Sequence, residues 1–136
     1  MKKSKVLLVV IVGLLASIIL ASCATPAVES SIPPLTNTVE VSSVGFNGVS
    51  GNFHLEVEKG QEVEITFVYG DGDFPQNNTH IIAIPDYGIE TSVLDEDNPE
   101  VTVSFTASKI GKVSFKCTQI TCVGHPNLQG GIIEIQ

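Results

Sequence analysis

The chain has 136 residues, with seven Lys or Arg against fifteen Asp or Glu. Three of the lysines (Lys2, Lys3, Lys5) sit in the first five residues, so beyond residue 22 four lysines face all fifteen carboxylates for a net charge of −11. That balance excludes nucleic acid as a partner, because little cationic surface is left to displace phosphate counterions. It steers basic partners inward and repels anionic ones, and it also keeps a domain soluble.

"MKKSK" is a cationic opening, and residues 6–20, "VLLVVIVGLLASIIL", form an uncharged apolar run with the shape of a secretory signal. The run ends in "LASC" (residues 20–23), which resembles a bacterial lipobox and implies acylation of Cys23 as the mature N-terminus. The other reading is an uncleaved anchor, since residues 6–22 reach roughly the 17 residues of the shortest membrane spans. Either way the rest of the chain is expected outside the cytoplasm, held at a membrane by lipid or by an N-terminal span. Residues 1–22 are therefore signal or anchor. Residues 23–37, rich in Ser, Thr and Pro with Pro33 and Pro34 adjacent, read as a linker. Residues 38–136 are of a length to form one domain with a single core.

From residue 38 the pattern turns to short β-type runs: "TVEVSSVGF", "FHLEVE", "EVEITFVYG", "THIIAIP", "VTVSFTA", "KVSFKC" and "GIIEI", separated by Gly, Asn, Asp and Pro. Val63, Ile65 and Phe67 alternate with Glu62, Glu64 and Thr66, which predicts half-buried antiparallel strands with one wet face. No window shows helical periodicity. Seven short strands in about a hundred residues predict an all-β Greek-key sandwich.

Between the last two runs lies "KCTQITCVGHPNLQGG", residues 116–131, with Cys117, Cys122 and His125. In an oxidising compartment the plain reading of Cys117 and Cys122 is a disulfide. A loop of four intervening residues is a weak constraint on the unfolded chain, and it leaves His125 without a role. Thiolates together with imidazole are a ligand set for copper or zinc. A closed site wants a further ligand, and His80, opening "THIIAIP", is the candidate. His54 alternates with Leu55 and Val57 and reads as a solvent-facing strand residue.

At these residues the chain resembles the cupredoxins, and most closely the copper-A domain of cytochrome c oxidase subunit II. "THIIAIPDYGIETSVL" (79–94) and "SFTASKIGKVSFKCTQITCVGHPNLQGGIIEI" (104–135) are similar to that family's ligand segments, a likeness spanning roughly residues 71–136. The resemblance implies a cupredoxin-like sandwich, a copper site of one or two ions, and His80, Cys117 and His125 at ligand positions. Gln119 matches a position whose backbone carbonyl contributes. Cys122 stands one residue later than the family's second cysteine, which would be Thr121, and Leu128 replaces its methionine. A mononuclear alternative uses His80, His125 and one thiolate as a trigonal set, with Gln129 or nothing in the axial place. The displaced Cys122 and the missing methionine favour one copper, with Cys117 essential and Cys122 dispensable. Leu128 and Gln129 also have plainer readings, as core packing and a polar turn. His125 precedes Pro126, which restricts its backbone towards extended conformations.

These observations predict copper-based electron transfer at a membrane surface, as a subunit II-like component of an oxidase complex or a free-standing cupredoxin lipoprotein. The partner expected is a basic cytochrome or the oxidase itself. Two other functions fit the residues: a non-redox copper carrier or assembly lipoprotein, and a metal-free sandwich closed by a Cys117–Cys122 disulfide. No Ser/His/Asp set, phosphate loop or carboxylate pair points to catalysis by this chain alone.

Overall fold

The structure, a computed structural model, describes residues 32–49, 53–71 and 78–136. The signal or anchor, Cys23 and the linker up to residue 31 lie outside the described residues. Among the described residues nine strands make two sheets. One holds β1 (Leu35–Ser42), β2 (Gly45–Phe46), β4 (Glu62–Tyr69) and β7 (Glu100–Thr106) in the order β2-β1-β4-β7. The other holds β3 (His54–Val57), β5 (Ile82–Ile84), β6 (Ile89–Glu90), β8 (Gly111–Cys117) and β9 (Gly131–Ile135) in the order β3-β9-β8-β5-β6. The chain repeatedly changes sheet between consecutive strands, as a Greek-key sandwich does and a meander does not.

Alternation decides which side chains meet between the sheets. Val63, Ile65 and Phe67 point inward from β4 while Glu62 and Glu64 face water, because successive strand residues face opposite ways. Phe115 of β8 sits at the centre, its ring 4.7 Å from Phe46, 5.7 Å from Phe67 and 5.8 Å from Phe53. Gly131 lets that ring lie against β9, since a Cβ there would come within 2.4 Å of it.

Three expectations change. The strands are not all antiparallel: β1 runs parallel to β4, from Leu35↔Val63 to Val41↔Tyr69, and β3 parallel to β9. Parallel neighbours need a crossover, and here the path from β1 to β4 makes it through β3 of the other sheet. The sheet begins before residue 38, since Leu35, Thr36 and Asn37 already pair with β4; Pro33 and Pro34, without N–H donors to give a ladder, lie just ahead of the first paired residue. The run "TVEVSSVGF" is not one strand but a hairpin, with Val41↔Phe46 and Ser42↔Gly45 in register. Gly45 there has φ 142°, a conformation that side-chain-bearing residues avoid.

These directions give the sandwich two distinct poles. Leu35, Gln61 and Gln136 line a common hollow at one. At the other gather the end of β1 near Ser43, Asp71 just after β4, His80 just before β5, and Cys117 ending β8.

Candidate metal centre

Cys117 is the last residue of β8 and pairs across to Ile82, so its thiol is fixed by the sheet. The chain then leaves the sheet for a loop and a short 3₁₀ turn, His125–Leu128, that returns it to β9. Within that loop Cys122 N–H donates to the Gln119 carbonyl at 3.1 Å, folding the second thiol back over the first. The two sulfurs stand 3.6 Å apart and unbonded, far beyond the roughly 2.05 Å of a disulfide. The disulfide reading is thus not the arrangement seen.

His80 stands beside this pair on the neighbouring strand end, two residues before the Ile82 that pairs with Cys117. Its backbone exchanges two 2.9 Å hydrogen bonds with Leu94, and its ring is wholly buried. Nδ1 lies 4.0 Å from Cys117 Sγ. The ligand atoms of His80, Cys117 and Cys122 all fall within 4.8 Å of one another. His125 flanks them, half-buried, with Nδ1 3.8 Å from Cys122 Sγ and 3.1 Å from the Gln119 carbonyl oxygen. That oxygen is 3.9 Å from Cys117 Sγ.

Nitrogen and sulfur donors bonded at roughly 2.0 and 2.3 Å to one tetrahedral ion are themselves roughly 3.5–3.8 Å apart. The thiol–thiol spacing and that of Cys122 to His125 fall within that range, and that of Cys117 to His80 lies just above it. The donors present, two thiols, two Nδ1 atoms and a carbonyl oxygen, fit copper. Each sulfur has an imidazole beside it, Cys117 that of His80 and Cys122 that of His125. Geometry gives Cys117 no precedence over Cys122.

The remaining sequence candidates find plainer places. Gln129 Nε2 donates to the carbonyls of Cys117 at 2.9 Å and His125 at 3.0 Å, bracing the loop backbone. Leu128 is fully buried in the core. His54 is exposed and pairs with Glu134 at 3.0 Å, on the wet face as expected.

Asp71 and Asn78 belong to the site and were not foreseen. Asp71 is buried, its Oδ1 accepting the Ser43 N–H at 2.6 Å and its Oδ2 the Asn78 amide at 2.6 Å. The same Oδ2 lies 2.8 Å from His80 Nε2. A carboxylate on the far ring nitrogen fixes the tautomer, leaving Nδ1 free to face the thiols. Nothing in "YGDGD" distinguishes Asp71 from Asp73; the only signal is its place directly after β4, at the pole where β4 delivers it.

The electrostatics divide the two thiols. Burial would raise Cys117, but the hydrogen bond of His80, then the backbone at Ile81 and Gln119, bring it down to about 6. Cys122 is pushed up to about 12 by burial and then by its bond to Cys117 and the charge there. Burial would lower His80, and Cys117 and Asp71 outweigh it to leave the ring raised. The pair therefore gives up its first proton more readily than its second, and a cation bound by both sulfurs must displace whatever proton they still share.

No family model and no curated protein matches the sequence. Solved structures do. Auracyanin A, a "blue" copper protein from Chloroflexus aurantiacus, is 19% identical over 76% of this chain and 99% of that one, with a TM-score of 0.57. Auracyanin from Roseiflexus castenholzii is 16% identical over 77% and 99%, with a TM-score of 0.58. The metal binding domain of the Streptococcus pneumoniae D39 Cu(I) exporting P-type ATPase CopA, solved with Cu(I), is 21% identical over 74% and 84%, with a TM-score of 0.54. At these identities the likeness carries the fold, a cupredoxin-like β-sandwich.

Proposed function

We propose that the chain binds copper through His80, Cys117, Cys122 and His125, with the Gln119 carbonyl as a weak further donor, and that it transfers electrons. The observation that carries this reading is the pair of free sulfurs 3.6 Å apart, each beside a different imidazole. Copper held there supplies a one-electron centre that cycles between Cu(I) and Cu(II). The chain's part is to hold the donors still. Cys117 and His80 are anchored to the second sheet, and the loop carrying Cys122 and His125 is tied to both walls.

The surface over the site suits brief docking. Ile120 is 82% exposed and Val123 53% exposed on the ligand loop, and Val44, also exposed, follows the Ser43 on which that loop rests. An apolar cap of this kind beside a half-buried His125 supports electron exchange with a partner. The chain's carboxylates favour a basic one, a cytochrome or an oxidase complex. Two thiols, two imidazoles and a carbonyl support the likeness to the copper-A domain of oxidase subunit II. Tethering at a membrane through Cys23 or an N-terminal span is part of the same proposal and rests on the sequence.

A second reading is supported by the Cu(I)-bound domain of the exporting ATPase and by a buried dithiol suited to Cu(I): a carrier that delivers copper without cycling it. Loading the purified chain with copper separates the two. An intense visible thiolate band, reversibly bleached by a mild reductant, is expected for electron transfer. A colourless Cu(I) complex marks the carrier, and no uptake marks a metal-free module. Metal analysis together with spin resonance gives the count, one copper or a mixed-valence pair.

A further inference from the structure

Asn78 lies two residues before His80 and is buried, with its amide fully engaged. Oδ1 accepts the Val123 N–H at 2.8 Å, and Nδ2 donates to the Val123 carbonyl at 3.2 Å and to Asp71 Oδ2 at 2.6 Å. Val123 stands between Cys122 and His125, forty-five residues away along the chain. One side chain thus grips both backbone groups at the middle of the ligand loop and also holds the carboxylate that orients His80.

The geometry points to Asn78 as a positioning residue that sets the distance between the two halves of the site, His80 with Cys117 and Cys122 with His125. Strand pairing does not do this, because residues 118–130 belong to no strand. A second tie is weaker: Gln119 Nε2 reaches Thr79 Oγ1 at 3.2 Å. The rest of the loop is braced from another direction, with Asn127 Nδ2 donating to the Ser43 carbonyl at 2.9 Å. Without Asn78 the Val123 N–H and carbonyl lose buried partners, and the Cys122–His125 side is free to swing while Cys117 stays on its strand. Outer hydrogen-bonding groups of this kind are worth roughly 10- to 100-fold in metal affinity.

The inference rests on the copper reading for its metal test but has a metal-free test too. Cys117 and Cys122 are 1% and 7% exposed, so their alkylation by iodoacetamide in the metal-free chain reports loop opening. Asn78→Ala is expected to speed labelling by about 10-fold or more and to weaken Cu(I) binding by roughly 10- to 100-fold in competition with a chromophoric chelator. The control is Phe105→Leu, a core change in β7 beside Tyr87, which should lower stability and leave both readouts near wild type. Labelling of Asn78→Ala at the wild-type rate, or equal acceleration by Phe105→Leu, overturns the assignment. Should Asn78→Ala fail to fold, Asn78→Asp keeps the volume and the acceptor for Val123 N–H but loses both donated bonds; wild-type labelling by that variant overturns it equally. Faster labelling in a chain that takes up no copper would uphold the clamp and sink the copper reading alone.

Discussion

Gly124 lies between Val123 and His125 with φ 81°, and a Cβ there would come within 2.1 Å of the Ser43 carbonyl oxygen and 2.5 Å of its Cα. Gly88 has a similar φ of 64° with nothing within 4 Å of its would-be Cβ. Replacing each by alanine separates two costs. At Gly88 only the left-handed backbone is penalised, about 1–2 kcal/mol. At Gly124 the same strain is joined by a clash with backbone, which no rotamer change relieves, adding about 1–3 kcal/mol as overpacking does elsewhere. Gly124→Ala should therefore lose about 2–5 kcal/mol, measured by urea denaturation of the metal-free chain. Relief of the clash must lift the loop off Ser43, carrying His125 and Cys122 with it, so copper affinity should fall for Gly124→Ala and stay unchanged for Gly88→Ala. Equal stabilities of the two variants, with copper binding intact in both, would refute the claim that the Ser43 contact seats the ligand loop.

Both thiols flanking the imidazoles predicts that Cys117→Ser and Cys122→Ser each abolish the native visible band, against the sequence expectation that Cys122→Ser keeps a coloured site; spectra of the two copper-loaded variants decide. His80→Ala should abolish the band while His54→Ala, on the wet face, leaves it unchanged. In the metal-free chain, burial opposes the Asp71 charge, but the Ser43 N–H, His80 and Asn78 hold its carboxyl below the ordinary 3.8; its contribution to stability is present above about pH 4 and lost as pH falls through the folded value. His80 is raised above 6.5, so its contribution is present below that pH and lost as pH rises through the folded value. The stability gap between wild type and Asp71→Asn, followed by urea midpoints, should accordingly be widest from about pH 4 to about pH 6.5 and narrow on both sides. Association with a basic electron donor, followed by stopped flow, should slow as salt rises, because screening shortens the field to about 8 Å near physiological ionic strength; a salt-independent rate removes the acidic surface from docking.

The strands were legible because alternation is a local signal: Val63, Ile65 and Phe67 declare their face within a few residues, and the β-sandwich follows. Parallel pairing of β1 with β4 was not, since it depends on where the chain returns after visiting the other sheet. His80, Cys117, Cys122 and His125 could be chosen because their chemistry is rare in this sequence. Asp71 is one of fifteen acidic residues, and only the fold shows that its carboxylate is buried against an imidazole. The preference for Cys117 over Cys122 rests on residue spacing, on its place at the end of a strand and on the missing methionine, and the spectra of the two serine variants test it.

The parallel registry of β1 with β4 also has a mechanical meaning. A pull applied upstream of Leu35 acts along the axis of β1, and seven residues from Leu35 to Val41 are paired with β4 along that axis. The load falls on the ladder in shear, shared among its hydrogen bonds, instead of opening them singly as in unzipping. Gln136 lies at the same pole, its N–H on the Val57 carbonyl and its carbonyl accepting from Lys59. Force entering there meets the sheet before it reaches the thiols, which lie at the opposite pole, beyond the roughly 23 Å spanned by the seven steps of an eight-residue strand at 3.3 Å each. Were the domain held by that foot, a pull there would load the β1–β4 ladder ahead of the sulfurs at its head.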